Sequence, residues 1–251
     1  MINLKTSKWI IKNIDTVIFD KDGTFIDLHF FWGKITELRA LQVINHFNLE
    51  NNLINKICKY LGYDLTNNIM YKDGITALYS RSKIIEIFIE NLRELGINAT
   101  IKDIEKIFDD VSNMFYENIE EYIKPIPEAI KLIKKLHKNK IKLAIVTSDS
   151  MISTNLALKK LQITNYFKII IGRETSIYTK ESGEPTKLAL KELNSEKAHT
   201  VMIGDTPTDY ISAYNAGINN VILVPTGQID EKELERYSKY TVKNLAEIEI
   251  E

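Results

Sequence analysis

Two aspartates stand one residue apart at the end of an apolar run near the start of the chain. The run 14–19 is rich in β-branched and aromatic residues, which is typical of a strand buried on both faces. Asp20 and Asp22 follow it, just before Gly23 and Thr24. Because the carboxyl ends of parallel strands form the ligand crevice of an open α/β sheet, two carboxylates there could act on something small. Asp and Gly are also common turn residues, so these five residues alone fit an ordinary turn as well.

Other polar motifs come at the ends of predicted strands farther along the chain, or before a helix. They are Val146-Thr147-Ser148-Asp149, a lysine at position 180, and Gly204-Asp205-Thr206-Pro207-Thr208-Asp209. With Asp20–Thr24 they resemble, in the same order, the four motifs of the haloacid dehalogenase-like superfamily. The resemblance spans residues 14 to about 225, and four ordered matches are more specific than one short motif.

The resemblance implies roles for the first two aspartates. A carboxylate can attack phosphorus and form an aspartyl-phosphate, which divides a difficult hydrolysis into two easier displacements. In the family the first aspartate, here Asp20, is this nucleophile. The second, here Asp22, is the general acid for the leaving alcohol and then the general base for water. The alternative for Asp22 is a residue that only caps the turn.

Asp205 follows another apolar run and adds a third carboxylate. Three carboxylates that converge with a phosphate repel one another unless a cation intervenes, and hard oxygen ligands favour Mg²⁺. We expect Asp20 and Asp205 to bind the metal through their side chains, and the resemblance implies the backbone carbonyl of Asp22 as a further ligand. Asp209 could orient a metal-bound water, hold the catalytic lysine, or simply stabilise a helix N-terminus.

Phosphate binding is predicted for Thr147, for Ser148 less firmly, and for a lysine. A hydroxyl and backbone N–H groups at a strand end can hold phosphate oxygens, although the same sequence could only cap the next helix. The family's usual motif is a lysine followed directly by proline, but here Glu184 precedes Pro185. Lys180 and Lys187 are therefore both candidates. Lys180 is preferred for its distance from Asp205, which is close to the family's usual interval.

Substrate specificity is expected to come from the segment after the first motif. Arg81 could clamp a substrate carboxylate or second phosphate in bidentate fashion, or be a solvated surface residue. His29 and Trp32 could line the substrate entrance, or could anchor the inserted segment by packing.

The predicted fold is an α/β doubly wound parallel sheet (Rossmann-like) with an inserted all-helical cap. Alternating helix and strand patterns place the catalytic core at residues 1–25 and 123–251. Residues 26–122 carry apolar positions three and four apart, which predicts helices and hence a helical cap. Residues 9–11, which include Trp9, are expected to pack against the sheet edge.

Composition excludes several partner classes. With 33 basic and 34 acidic residues there is no global field to attract nucleic acid or an anionic membrane. No stretch has the ~18 consecutive apolar residues of a membrane span, and no secretory signal is recognised. The single cysteine, Cys58, excludes an internal disulfide and fits a cytoplasmic location. The oligomeric state is not predicted.

The expected function is Mg²⁺-dependent hydrolysis of a small phosphate monoester, since the chain resembles the phosphoglycolate phosphatase branch of the family. A phosphomutase is the nearest alternative, because it uses the same two aspartates and differs in whether water reaches the intermediate. A phosphate-binding module without turnover is the alternative from another class. A dehalogenase is disfavoured, because the family's dehalogenases lack an acid corresponding to Asp22.

Overall fold

The computed structural model describes all 251 residues, which divide into two compact units. The core unit comprises Met1–Asp27 and Ile123–Glu251, and the helical unit comprises Leu28–Tyr122. The strands are β1 (Ile2–Lys5), β2 (Ile10–Ile14), β3 (Thr16–Phe19), β4 (Tyr63–Asp64), β5 (Ile69–Met70), β6 (Lys142–Val146), β7 (Ile169–Ile171), β8 (Thr200–Gly204), β9 (Asn220–Leu223), β10 (Tyr240–Thr241) and β11 (Glu249–Ile250).

Helices alternate with strands in the core unit and predominate in the helical unit. Those of the helical unit are α1 (Leu28–His46), α2 (Ile54–Tyr60), α3 (Ile75–Leu78), α4 (Arg81–Arg93), α5 (Ile101–Glu117) and α6 (Ile119–Tyr122). Those of the core unit are α7 (Pro127–Lys138), α8 (Met151–Lys160), α9 (Glu184–Glu192), α10 (Pro207–Asn215) and α11 (Glu231–Leu234).

A six-stranded parallel sheet in the order β10-β9-β8-β3-β6-β7 forms the centre of the core unit. This confirms the predicted α/β fold with a parallel sheet. From β3 the chain passes outward through β6 and β7, and then returns to β8 on the other side of β3. The strand order therefore reverses between β3 and β8, which is where open α/β sheets bind their ligands.

The register of the central strands brings three polar motifs to one edge of the sheet. Phe19 is paired with Ile145 on one side and with Ile203 on the other. Asp20 is therefore level with Val146 and Gly204, and the polar residues that follow them leave the sheet at the same edge. All four residues of β3 are buried, as expected for a strand covered on both faces.

Helices cover the sheet through alternate strand residues. Ile18, Ala144 and Met202 share one apolar cluster with Ala189 of α9 and Ala213 of α10. Because neighbouring strand residues point to opposite faces, Val17 and Phe19 face the other side. There the ring of Phe19 meets that of Phe167 edge to face, with centroids 6.2 Å apart.

A separate antiparallel sheet, in the order β11-β1-β2, joins the two ends of the chain. Leu4 of β1 is paired with both Ile11 and Ile250. The prediction for residues 9–11 is only partly right, because Ile11 belongs to this sheet. The Trp9 ring does contact Tyr240 of the edge strand β10, with centroids 5.4 Å apart.

The helical unit is built on contacts of α1 with α2 and α5. Phe31 of α1 meets Phe115 of α5 edge to face at 5.1 Å, and Phe115 stacks on Tyr122 at 4.6 Å. Thr100 and Asp103 form a capping box that begins α5. The unit is not wholly helical, because β4 and β5 form a two-stranded sheet that the sequence pattern did not predict. No helix of the chain has the length and apolar character needed to cross a membrane.

Candidate active site

The loop after β3 is held by a backbone hydrogen bond to β8 and contains a glycine that its conformation requires. The N–H of Asp20 donates to the carbonyl of Ile203 at 2.9 Å, which ties the loop to β8. Gly23 has a φ of +84°, and a Cβ at this position would lie 2.2 Å from Asp205 Oδ2. Glycine is therefore needed both for the backbone conformation and for the close approach of the two loops.

Lys180 lies between two carboxylates. Its Nζ is 2.5 Å from Asp20 Oδ1 and 2.5 Å from Asp209 Oδ1, and the lysine is buried. Burial disfavours the ammonium, but Asp20 and Asp209 outweigh that effect and hold the pKa of Lys180 above its ordinary value. By contrast, Lys187 is exposed and pairs with Glu184 at 2.8 Å. Of the two candidate lysines, the structure brings only Lys180 to the aspartate cluster.

One carboxylate oxygen of Asp205 accepts a hydrogen bond and the other has no hydrogen-bond partner. Thr24 Oγ1 donates to Asp205 Oδ1 at 3.1 Å, whereas Oδ2 is buried without a hydrogen-bond partner. A Cβ at Gly227 would meet this same Oδ2 at 1.8 Å, so a second glycine leaves space beside it. Burial first, and then the charges of Asp20 and Asp209, raise the pKa of Asp205 well above its ordinary value.

Excess negative charge is the main electrostatic property of this cluster. Burial, only partly offset by Lys180, raises the pKa of Asp20 from 3.8 to about 7. Asp20, Asp205 and Asp209 would together carry three negative charges against the single positive charge of Lys180. A divalent cation would balance the remainder, and carboxylate oxygens are donors that Mg²⁺ prefers.

The residues present fit a magnesium ion on two observations: the buried, unpartnered Asp205 Oδ2, and the uncompensated charge around it. No group of three or more His, Cys, Asp or Glu side chains is arranged to hold a metal. The predicted ligand set contains two carboxylates and one backbone carbonyl, so it does not require a third side chain. The metal-binding roles of Asp20, Asp22 and Asp205 remain predictions.

Asp209 combines two of the roles considered for it. Its Oδ2 accepts hydrogen bonds from the backbone N–H groups of Asp205 and Thr206 and from Thr206 Oγ1, which together begin α10. Its Oδ1 accepts from Lys180. A Cβ at Gly204 would lie 2.1 Å from the Asp209 carboxyl carbon, so this close packing also requires glycine.

The turn after β6 places Thr147 and Ser148 at the same edge of the sheet. Thr147 is buried and its Oγ1 accepts the backbone N–H of Asp149 at 3.1 Å, which leaves the hydroxyl proton available to a ligand. Ser148 is exposed. Ser150 caps α8 by accepting from the backbone N–H of Ser153. The helix cap is therefore a different residue from the two predicted to bind phosphate.

Sequence reasoning assigned no role to two features of this site. Lys21 lies buried between Asp22 and Asp149, and nothing in its position within the first motif signalled this. Thr226 and Gly227 follow β9, and Thr226 Oγ1 donates to the carbonyl of Gly23 at 2.5 Å. A Thr-Gly pair after a core strand is the signal that could have identified them.

The predicted specificity residues lie in the helical unit and make contacts within it. Arg81 Nη2 donates to Asp109 Oδ1 at 2.6 Å, so its guanidinium already has a carboxylate partner. His29 Nδ1 accepts the backbone N–H of Met70 at 3.0 Å, and Trp32 meets Phe31 edge to face at 5.6 Å. These contacts serve packing, and specificity roles for Arg81, His29 and Trp32 remain predictions.

Comparison with known proteins adds three findings. The model of the haloacid dehalogenase-like hydrolase family matches residues 14–217. A pyrophosphatase PpaX of Anoxybacillus flavithermus is 25% identical over 208 residues, which are 82% of this chain and 81% of that protein. A phosphoglycolate phosphatase of Neisseria meningitidis is 25% identical over 213 residues, 84% of this chain and 80% of that protein.

Solved structures share the fold. The crystal structure of a HAD-superfamily hydrolase of subfamily IA, variant 1, from Geobacter sulfurreducens has a TM-score of 0.64. The match covers 94% of each chain at 17% sequence identity. At this identity the likeness concerns the fold alone.

Proposed function

Because the chain belongs to the haloacid dehalogenase-like hydrolase family, we propose that it is a Mg²⁺-dependent phosphatase acting on a small phosphate monoester. The observation that carries the proposal is Lys180 bridging Asp20 and Asp209 in a buried cluster beside Asp205. A charged lysine next to a carboxylate nucleophile suits the attack of an anion on a phosphate, since it offsets the repulsion between them.

In the first half of the proposed reaction, an oxygen of Asp20 attacks phosphorus, and the bond from phosphorus to the leaving oxygen breaks. The protonated carboxyl of Asp22 gives its proton to that oxygen, so an alcohol departs. Lys180 stabilises the charge shared by the transferring oxygens. The hydroxyl of Thr147 donates a hydrogen bond to a phosphate oxygen, with Ser148 beside it at the strand end.

In the second half, Asp22 is a carboxylate and accepts a proton from water as that water attacks the aspartyl-phosphate. Inorganic phosphate leaves, Asp20 is restored, and Asp22 is again protonated for the next cycle. Asp209 keeps Lys180 in place through both halves, because one of its oxygens accepts from Lys180 while the other accepts from the start of α10.

The metal proposed for this site would be held by the carboxylates of Asp20 and Asp205 and by the backbone carbonyl of Asp22. When bound, Mg²⁺ supplies positive charge to buried carboxylates and to phosphate oxygens. The unpartnered Oδ2 of Asp205 and the raised pKa values of Asp20 and Asp205 support this assignment.

The names of two matched relatives support the choice of substrates to test. The matched relatives are named as a phosphoglycolate phosphatase and a pyrophosphatase, so 2-phosphoglycolate and pyrophosphate are the first compounds to test. The proposal includes a small phosphorylated metabolite as the partner and a cytoplasmic location, which the single cysteine supports.

A substrate panel with Mg²⁺, repeated with EDTA, tests the proposal. The panel contains 2-phosphoglycolate, pyrophosphate, glycerol 3-phosphate, glucose 1-phosphate and 4-nitrophenyl phosphate, and both phosphate release and isomerised sugar phosphate are measured. We expect release that requires Mg²⁺ and is lost in Asp20→Asn. Isomerisation without release would favour a mutase, and binding without any turnover would favour a phosphate-binding module.

A further inference from the structure

Lys21 is a fully buried lysine in the loop that carries the nucleophile. It stands between Asp20 and Asp22 in the sequence, and no part of its side chain is exposed. Its Nζ lies 2.5 Å from Asp22 Oδ1 and 2.9 Å from Asp149 Oδ2. The Lys21 ammonium therefore contacts carboxylates from two different loops.

These two partners connect Lys21 to the proposed proton transfer and to the proposed phosphate-binding turn. Asp22 is the proposed acid and base. Asp149 belongs to the turn of Thr147, where its backbone N–H donates to Thr147 Oγ1 and its Oδ1 accepts from the backbone N–H of Ser150. The backbone carbonyl of Lys21 also accepts from residues later in its own loop, namely Thr24, Phe25 and Ile26.

An apolar side chain would fill this buried space without the desolvation cost of an ammonium. A charged group at such a position indicates a functional role when its partners take part in the reaction. Here one partner is the carboxyl that must meet the leaving oxygen, and the other shapes the turn that would hold the phosphate.

We propose that Lys21 is a positioning residue that holds the Asp22 carboxyl in line with the leaving oxygen and fixes the Thr147 turn through Asp149. This inference rests on the proposed phosphatase function. Lys21 itself exchanges no proton and touches no substrate, and its effect is transmitted through the side chain of Asp22.

Leaving-group dependence distinguishes positioning from a purely structural role. An alkoxide is a poor leaving group and needs the proton of Asp22 as its bond to phosphorus breaks, whereas 4-nitrophenolate leaves without one. Misplacing Asp22 must therefore slow the cleavage of alkyl phosphates more than that of the aryl phosphate. General acid catalysis contributes about 10²- to 10⁴-fold, so a partial loss is large enough to measure.

The experiment compares kcat/KM for the best alkyl phosphate of the panel with that for 4-nitrophenyl phosphate, both with Mg²⁺. In Lys21→Met we expect the alkyl-to-aryl ratio to fall at least ~10-fold below that of the wild type. Because both substrates are measured on the same preparation, a reduced folded fraction cancels in the ratio. Asp22→Asn should show the full shift, and adding Lys21→Met to Asp22→Asn should change the ratio no further.

Lys142 provides the control, since it is a partly buried lysine of the core unit. Its Nζ donates to the backbone carbonyls of Leu193 and Asn194, away from the aspartates. Lys142→Met should leave the ratio unchanged even if it lowers stability. Should Lys21→Met fail to fold, Asp149→Asn takes its place, with a smaller shift expected in the same direction.

An equal loss on both substrates in the Lys21 and Asp149 variants would overturn the positioning role. So would a further shift of the ratio in the Asp22→Asn background. If the wild type released phosphate from no compound of the panel, the proposed function itself would fail, and that outcome is distinct from an unchanged ratio in an active enzyme.

Discussion

The two units of this protein each bury a positively charged side chain, but the surroundings shift the pKa of the two groups in opposite directions. In the core unit, Lys180 contacts two carboxylates at 2.5 Å each, and its pKa lies above the ordinary value. In the helical unit, the guanidinium of buried Arg39 lies 4.1 Å from the centroid of the Phe108 ring, and its Nε has no hydrogen-bond partner. Burial first, and then nearby Arg81, lower the pKa of Arg39 to about 10.

The difference shows that burial alone does not identify a functional charge. Both side chains are desolvated as ions in a low-dielectric interior. Only Lys180 has carboxylate partners, Asp20 and Asp209, whose negative charges it stabilises. The core arrangement is a set of mutually dependent charges, as expected of an active site. In the helical unit Arg39 lies on an aromatic face, which is a common packing contact, and the charge of Arg81 that lowers its pKa has the same sign.

Asp20→Asn is the most severe test of this view of the core unit. The substitution keeps the shape of the side chain but removes the charge that attacks phosphorus, so we expect kcat to fall by at least ~10³. The fold should persist, because Lys180 retains Asp209 as its partner. Turnover is measured with Mg²⁺, and mass spectrometry excludes deamidation back to Asp. Retention of more than about a tenth of wild-type activity would remove Asp20 as the nucleophile.

Lys180→Ala, compared with Lys187→Ala, tests the lysine assignment at a smaller expected effect. Loss of Lys180 leaves Asp20 and Asp209 without their shared cation, and we expect kcat/KM to fall at least ~10²-fold at saturating Mg²⁺. Lys187 is exposed and paired with Glu184, so its loss should change little. The reverse order of effects would transfer the role to Lys187.

Metal and pH should act together on the stability of the core unit. Asp20 has a pKa of about 7 in the folded metal-free protein, against 3.8 ordinarily. The folded state therefore binds more protons than the unfolded state between those values, and stability falls as pH rises through that window. Mg²⁺ binding needs the ionised carboxylates, so its stabilising effect should be larger at about pH 8 than at about pH 5.

Thermal unfolding with Mg²⁺ and with EDTA at the two pH values measures this coupling. At about ten times its Kd the ion stabilises by about 1.4 kcal/mol, which raises Tm by a few degrees. Asp205→Asn is the control and should abolish most of the shift. Equal Tm shifts at both pH values would count against these carboxylates as the metal ligands.

Much of the core architecture could be read from the sequence because buried parallel strands are continuous apolar runs. Each of the strands β3, β6 and β8 ends at a polar motif, and parallel pairing then places Asp20, Thr147 and Asp205 at one edge. The strands β1, β2, β10 and β11 of the core unit were not predicted. In β2, exposed Lys12 and Asn13 interrupt the apolar pattern, and β11 is only two residues long.

The remaining features depend on tertiary contacts that leave no local pattern. One carboxylate partner of buried Lys21 is Asp149, which lies 128 residues later in the sequence and is brought near it only by folding. Gly227 matters through its closeness to Asp205, which only the folded chain reveals. Arg39 has the spacing of an ordinary helix residue, and its burial against Phe108 follows from the packing of α1 on α5.

Arg39→Met completes the comparison and is the smallest effect that we expect. The desolvation penalty of a buried ion is several kcal/mol, while a desolvated cation–π contact returns about 2 kcal/mol. Methionine is flexible and apolar, so it can keep much of the contact with Phe108. We therefore expect Arg39→Met to stabilise the protein by about 1 kcal/mol, measured as the free energy of unfolding in urea.

Arg81→Met is the matched control, since Arg81 also approaches the Phe108 ring, at 5.8 Å, but is 45% exposed and paired with Asp109. An exposed ion pair contributes roughly 0 to 1 kcal/mol, so this variant should be neutral or slightly less stable. If Arg39→Met instead lost stability while Arg81→Met did not, the guanidinium of Arg39 would have to gain more from its surroundings than the aromatic face provides. Its charge would then resemble that of Lys180, and the distinction between the two units would fail.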